Sequence, residues 1–301
     1  MSTPPFLALP ACATALRLPT SRGSFAVLRA EPTGPARGTA LLVPGFTGSK
    51  EDFIALLEPL AAAGFRTVAV DQRGQYETGG PADQAAYALP ELGRDLRAIS
   101  DALTEAAPGT PLHLLGHSFG GYVAREAVLA GVNAPANTPT ALPWSSLTML
   151  STGPGPIDPA EAARTKMLMD ALGSVDLETI WQVMQQLEEG SGDPAGKPAP
   201  QIAEFLHRRW LANLPQALLA MGERLLSEPD RTAELAAVPL PKLAVSGVRD
   251  YAWPVEEQSE TAARLGARYV RIDGAGHSPN AERPTETAAA LTEFWSSVQS
   301  A

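Results

Sequence analysis

The chain has 301 residues, 45% of them hydrophobic and 19% charged, and 23 Lys and Arg against 33 Asp and Glu leave a formal net charge of −10. That balance argues against a surface built for nucleic acid or another polyanion, and the apolar fraction supports a packed core rather than disorder. The single cysteine, Cys12, excludes an intrachain disulfide and argues against a thiolate metal cluster, and no apolar run approaches the roughly 20 residues that span a bilayer.

The opening MSTPPFLALPACATALRLP carries no Lys or Arg before Arg17 and is interrupted by Pro4, Pro5 and Pro10, a poor secretory signal, so the expected location is the cytoplasm. Alternating stretches around 12–18 and 25–31, joined by PTSRG, predict a hairpin. TALLVPG at 39–45 predicts a buried strand followed by the helix-like FIALLEPLAAAG, and RTVAVDQRG a second strand, with helical spacing from Leu89 to Ala106. PLHLLGHSFGG then supplies a strand, a tight turn and the start of the helix YVAREAVLAG, and 145–155 one more core strand. Strand and helix alternating over short connections predict an open, mainly parallel α/β sheet. From Pro159 to about Glu228 the pattern changes to helices near 159–172, 176–189, 199–212 and 215–227, with a loop at 190–200, which reads as a helical insertion over the sheet. The core resumes with PKLAVSG at 241–247, a helix near 255–265, the strand ARYVRIDG and a terminal helix near 284–299. The expected division is a core of 12–155 and 233–301 with a cap of 156–232.

The stretch Gly116-His117-Ser118-Phe119-Gly120 matches the G-x-S-x-G nucleophile elbow, in which a serine stands on a sharp strand-to-helix turn. The glycines answer to crowding, since side chains at 116 and 120 would obstruct the turn. A phosphate-cradling loop is disfavoured, because neither G-x-x-x-x-G-K-S/T nor a full G-x-G-x-x-G is present. A serine hydroxyl needs a base, and the chain has four histidines. His113 alternates inside a strand, His117 adjoins the serine and cannot easily turn back to it, and His207 lies in the insertion. His277, in the loop IDGAGHSPNAERP just beyond a strand, is the expected base, with Asp250 as its orienting acid and Asp273 as the nearest alternative.

With these residues the chain resembles the α/β-hydrolase superfamily, particularly its capped serine esterases, lipases and carbon–carbon hydrolases, in which the order nucleophile, acid, histidine is the one set by Ser118, Asp250 and His277. The resemblance implies an α/β-hydrolase fold with an inserted helical cap and no metal or organic cofactor. It further implies backbone oxyanion donors at Phe46 and Phe119, although Pro44-Gly45 stands where a histidine-glycine pair is more usual and an imidazole that often braces this loop is missing. DQRGQYETGGP is similar to the family segment D-x-R-G-x-G, with Tyr76 where glycine is common; its phenol either faces the pocket or serves the turn. Trp181, Met184, Phe205 and Trp210 of the cap are candidate pocket residues, although helical spacing also suits them to packing. The expected partner is a small to medium hydrophobic carboxylic ester. The same triad would serve a thioesterase, a lactonase or a carbon–carbon hydrolase, and a small-ligand receptor that retained the fold is the non-enzymatic alternative. A serine rather than an aspartate at the elbow argues against the haloalkane dehalogenase and epoxide hydrolase branches.

Overall fold

The computed structural model describes residues 1–132, 142–191 and 198–300, so 192–197 of the loop expected at 190–200 lie outside the described residues. Among the described residues, eight strands form one sheet in the order β1-β2-β4-β3-β5-β6-β7-β8. The predicted hairpin is β1 (Ala13–Thr20) against β2 (Gly23–Ala30), and β2 pairs antiparallel with β4 (Phe65–Val70). All remaining pairings, among β3 (Gly38–Val43), β4, β5 (Leu112–His117), β6 (Ser146–Leu150), β7 (Lys242–Gly247) and β8 (Arg268–Ile272), are parallel.

The continuous apolar runs in the sequence follow from helices covering both faces of the sheet, so that β3, β5, β6 and β7 are buried along their whole length. Side chains of β3 alternate between the two layers: Leu41 and Val43 join the core under α2 (Leu89–Ala106) and α3 (Phe119–Val132), while Ala40 and Leu42 join the one under α1 (Ile54–Ala62) and the terminal helix. The edge strand β1, with only one packed face, alternates half-buried and exposed residues over most of its length instead.

Among the described residues, the regular elements between β6 and β7 are all helices: α4 (Pro159–Leu172), α5 (Leu177–Ser191), α6 (Pro200–Leu211), α7 (Pro215–Ser227) and the short α8 (Thr232–Ala236), which the sequence pattern did not single out. Pro159, Pro200 and Pro215 each open a helix, where a missing N–H costs no hydrogen bond. After β7 come α9 (Val255–Leu265), then β8, the short α10 (Pro279–Glu282) and α11 (Pro284–Gln299). The helix of the elbow begins at Phe119, three residues before the apolar spacing suggested, because the glycine-rich turn itself is already helical.

The cap has its own core, with Ile180, Trp181, Phe205, Trp210 and Leu218 packed together. Two buried ion pairs tie it to the sheet domain. Arg209 of α6 meets Asp52 at 2.6 Å with neither side chain exposed, and Arg125 of α3 meets Glu228, just past α7, at 2.5 Å. Burying an ion pair is costly in desolvation, and removing one partner costs more because it strands the other charge. Arg125→Met alone is therefore expected to lower the unfolding free energy by about 3–5 kcal/mol in urea titration, with Arg125→Met/Glu228→Met recovering most of the loss.

Candidate active site

Ser118 follows β5 directly and has φ +54°, a left-handed conformation that L side chains rarely adopt. The turn holds it there: the Ser118 N–H donates to Leu150 O at 2.9 Å, and the Gly121 N–H donates to Ser118 O at 2.8 Å. A Cβ at Gly116 would lie 2.3 Å from Gly120 O, and one at Gly120 would lie 2.4 Å from Val43 O, so neither position admits a side chain. The loop after β3 presses equally close, since a Cβ at Gly45 would stand 2.9 Å from the Ser118 Cβ. The crowding seats Ser118 at the carboxyl end of the central strand, with the N-terminus of α3 behind it.

The loop after β8 brings His277 to this serine, with Nε2 3.0 Å from Ser118 Oγ and Nδ1 2.8 Å from Asp250 Oδ1. The carboxylate fixes Nδ1–H as the donor and leaves Nε2 free to accept from the serine hydroxyl. Asp250 is itself held: Oδ1 also accepts the N–H groups of Ala252 at 2.9 Å and Trp253 at 3.3 Å, and Oδ2 accepts the Gln258 amide at 2.9 Å. Burial raises the Asp250 pKa, but the hydrogen bond and charge of His277 together with these donors outweigh it and hold the carboxyl below its usual value. Gly247 at the end of β7 permits the approach of the histidine loop, where a Cβ would meet Gly276 O at 2.1 Å. Glu282 ties the loop down by accepting the Gly276 and Ser278 N–H groups. The alternative acid, Asp273, is exposed away from this relay.

The other histidines have separate places. His117 packs behind the site, where its Nε2–H donates to the His277 carbonyl at 2.9 Å; burial, then the charge of His277, push its pKa down to about 3, so it remains a neutral brace. Its adjacency to Ser118 gave no hint of that role. His113 is 2.8 Å from Ser146 Oγ and stacks on Trp295, and burial lowers its pKa to about 4. His207 pairs with Glu178 on the cap, 2.7 Å away.

A narrow cavity of about 90 Å³ opens on Ser118 and His277, walled by Phe46, Ile157, Thr165, Leu225 and Tyr251. The Tyr251 ring lies 4.8 Å from the His277 ring. Met1 and Ser2 also border the cavity, and Arg209 donates to Ser2 O at 2.7 Å. Asp52 lines it too, its carboxyl pushed up to about 6 by burial while the Arg209 guanidinium pulls the other way. None of these contacts was legible in residue spacing, because the first residues come from the opposite end of the chain.

Trp181, Met184, Phe205 and Trp210 belong to the core of the cap and do not border this cavity. Trp210 is fully buried and donates its indole N–H to Leu177 O at 2.7 Å. Tyr76 packs edge-on against Phe205 at 5.6 Å, with the Lys50 ammonium 4.6 Å from its ring centre, and its φ of +38° explains why glycine would suit the position. A larger hollow of about 520 Å³, between α2 and α7, contains none of the three relay residues. Among the described residues no cluster of His, Cys, Asp and Glu is arranged to hold a metal ion, and no helix is long and apolar enough to cross a membrane.

The model of the alpha/beta hydrolase family matches residues 40–290. The chain is 26% identical over 303 residues to epoxide hydrolase A of Mycobacterium tuberculosis, covering 88% of this chain and 92% of that protein. It is also 26% identical over 247 residues to the monoacylglycerol lipase of Mycolicibacterium smegmatis, covering 80% of each. Among solved structures, a thermophilic esterase from Thermogutta terrifontis superposes with a TM-score of 0.70 at 23% identity, covering 95% of this chain and all of that one, a likeness of fold. The family match runs from β3 into α11 and so takes in the elbow, the acid and the histidine; the chain belongs to the alpha/beta hydrolase family.

Proposed function

We propose that the chain is a serine hydrolase that cleaves a small carboxylic ester through an acyl-serine intermediate. The observation that carries this reading is the continuous relay from Ser118 Oγ through His277 to the buried Asp250, at 3.0 and 2.8 Å, opening on a cavity. His277 takes the serine proton as Oγ attacks the ester carbonyl, and Asp250 stabilises the resulting imidazolium. The backbone N–H groups of Phe46 and Phe119 receive the developing oxyanion; the latter opens α3 and has no partner within its own helix. His277 then gives its proton to the leaving alkoxide, and water releases the acyl group by the same steps in reverse.

Of the two relatives, the lipase acts by name on an ester, whereas the epoxide hydrolase branch, which uses a carboxylate nucleophile, is disfavoured by Ser118 at the elbow of this chain. The cavity bounds the acyl group. At about 90 Å³ the cavity is small, with Ile157 and Leu225 on its wall, which supports a short acyl group. A single cysteine and the lack of a membrane-crossing helix among the described residues are compatible with the proposed cytoplasmic location. The proposed functional division remains a core of 12–155 and 233–301 under a cap of 156–232.

Intact-mass labelling with a serine-directed fluorophosphonate is expected to give one adduct in the native chain and none in Ser118→Ala, with ester turnover lost in parallel; labelling that survives the substitution would sink the assignment. Asp250→Asn, which favours the wrong tautomer, is expected to lower kcat by about 10⁴-fold while the fold persists by circular dichroism. Acetyl and propionyl esters are expected to be turned over faster than octanoyl esters, and Leu225→Ala to shift the optimum toward longer acyl chains in a chain-length series.

A further inference from the structure

The loop that supplies the proposed oxyanion donor lacks the imidazole brace common in related hydrolases, and two buried glutamines from the loop after β4 occupy its surroundings. Gln75 Nε2 donates to Gly45 O at 2.8 Å, and Gln72 Nε2 donates to Pro44 O at 2.9 Å. Gln75 is completely buried and Gln72 nearly so. A third carboxamide, the fully buried Asn280, repeats the arrangement farther along, donating to Asp52 O at 2.7 Å.

The position of Gln75 matters because the Gly45 carbonyl and the Phe46 N–H belong to one planar trans peptide unit and point in opposite directions. A donor that fixes the carbonyl oxygen therefore fixes the direction of the N–H on the other side. Donation to that oxygen also polarises the unit and strengthens the N–H as a donor. The Gly48 N–H adds a second bond to the same oxygen, at 3.1 Å, so Gly45 O is held from two sides. Gln72 acts one unit earlier, on the peptide that joins Pro44 to Gly45.

Stability alone gives no reason for these amides. The Oε1 atoms of Gln72 and Gln75, like Oδ1 of Asn280, are buried and have no hydrogen-bond partner among the described residues. A buried acceptor left without a donor is a cost that an apolar side chain of the same length would avoid. We infer that Gln75 is a positioning residue that aims the Phe46 N–H at the oxyanion, with Gln72 as its support; the inference rests on the ester-hydrolase reading above. Gln75 also touches the cap, its Nε2 lying 3.9 Å from the Met221 sulfur of α7, so cap and oxyanion loop meet at this side chain.

The test compares the native chain with Gln75→Met, which keeps the length and removes the donor, and with Gln75→Glu, which keeps the shape and presents an acceptor. p-Nitrophenyl acetate reports turnover, and a trifluoromethyl ketone, which forms a tetrahedral adduct with the serine, reports the oxyanion site. Both variants are expected to lose about 10- to 100-fold in kcat with KM nearly unchanged, and the ketone inhibition constant to rise by the same factor, since the loss of one oxyanion donor outright costs more. If Gln75→Met fails to fold, Gln75→Glu and Gln72→Met carry the comparison, the latter with the smaller loss. A native chain that labels at Ser118 and turns over, but whose folded Gln75 variants match it in kcat and ketone inhibition, overturns the inference and leaves the hydrolase reading standing. Turnover that falls while ketone inhibition stays unchanged also overturns it. A native chain that neither labels nor turns over removes the hydrolase reading and this inference with it.

Discussion

The packing of the turn at Ser118 governs the site. Three backbone segments meet there at distances that leave no room for a Cβ: the end of β5, the first turn of α3 and the loop after β3. Because Gly116, Gly120 and Gly45 allow that approach, the turn closes tightly enough to hold a serine at φ +54°. Such strain is of the order of 1–3 kcal/mol and persists only where the surroundings over-determine it. The same convergence brings Gly45, the residue before Phe46, against Ser118, so presentation of the nucleophile and construction of the proposed oxyanion site have one physical origin.

The relay depends on a second close approach, between the ends of β7 and β8. Asp250 and His277 leave adjacent parallel strands, and Gly247 lets the histidine loop pass against the end of the β7 strand. Each reacting group is then held from behind. Backbone N–H groups and Gln258 orient Asp250, His117 holds the His277 carbonyl, and Glu282 anchors the loop. A neutral His117 suits this task, since a second positive charge 5.2 Å from the His277 ring, measured between ring centres, would oppose formation of the imidazolium.

Above the sheet, the cap encloses the site through a hydrophobic core of its own and two buried ion pairs. Arg209 joins three parts of the molecule, since its guanidinium pairs with Asp52, which follows the loop after β3, and reaches the Ser2 carbonyl at the cavity wall. Cap aromatics that resemble substrate contacts in the sequence, Trp181, Phe205 and Trp210, instead fill the space between cap helices, and the cavity falls to smaller residues at the seam. The resulting volume is far below the roughly 300 Å³ or more of a typical ligand pocket.

Much of this was legible in the sequence because it rests on local rules. Uninterrupted apolar runs mark strands covered on both faces, helical spacing without strands marks the cap from Pro159 onward, and the glycines flanking Ser118 mark a turn in which side chains do not fit. Elimination among four histidines reached His277, because a base must lie in a loop at a strand end, and Asp250 followed from the same rule. The identity of the residues around that relay depended on segments far apart in the chain: Gln75 against Gly45, His117 against the His277 carbonyl, Arg209 against Asp52, and Ser2 at the cavity. Periodicity records which face of an element is buried but not which distant backbone lies opposite a given polar atom. The sequence by itself thus determined the fold and the three reacting side chains, while the braces, the cavity wall and its size were decided only when the tertiary structure brought those distant segments together, since a hydrogen-bond partner is chosen by position in space and leaves no periodic trace along the chain.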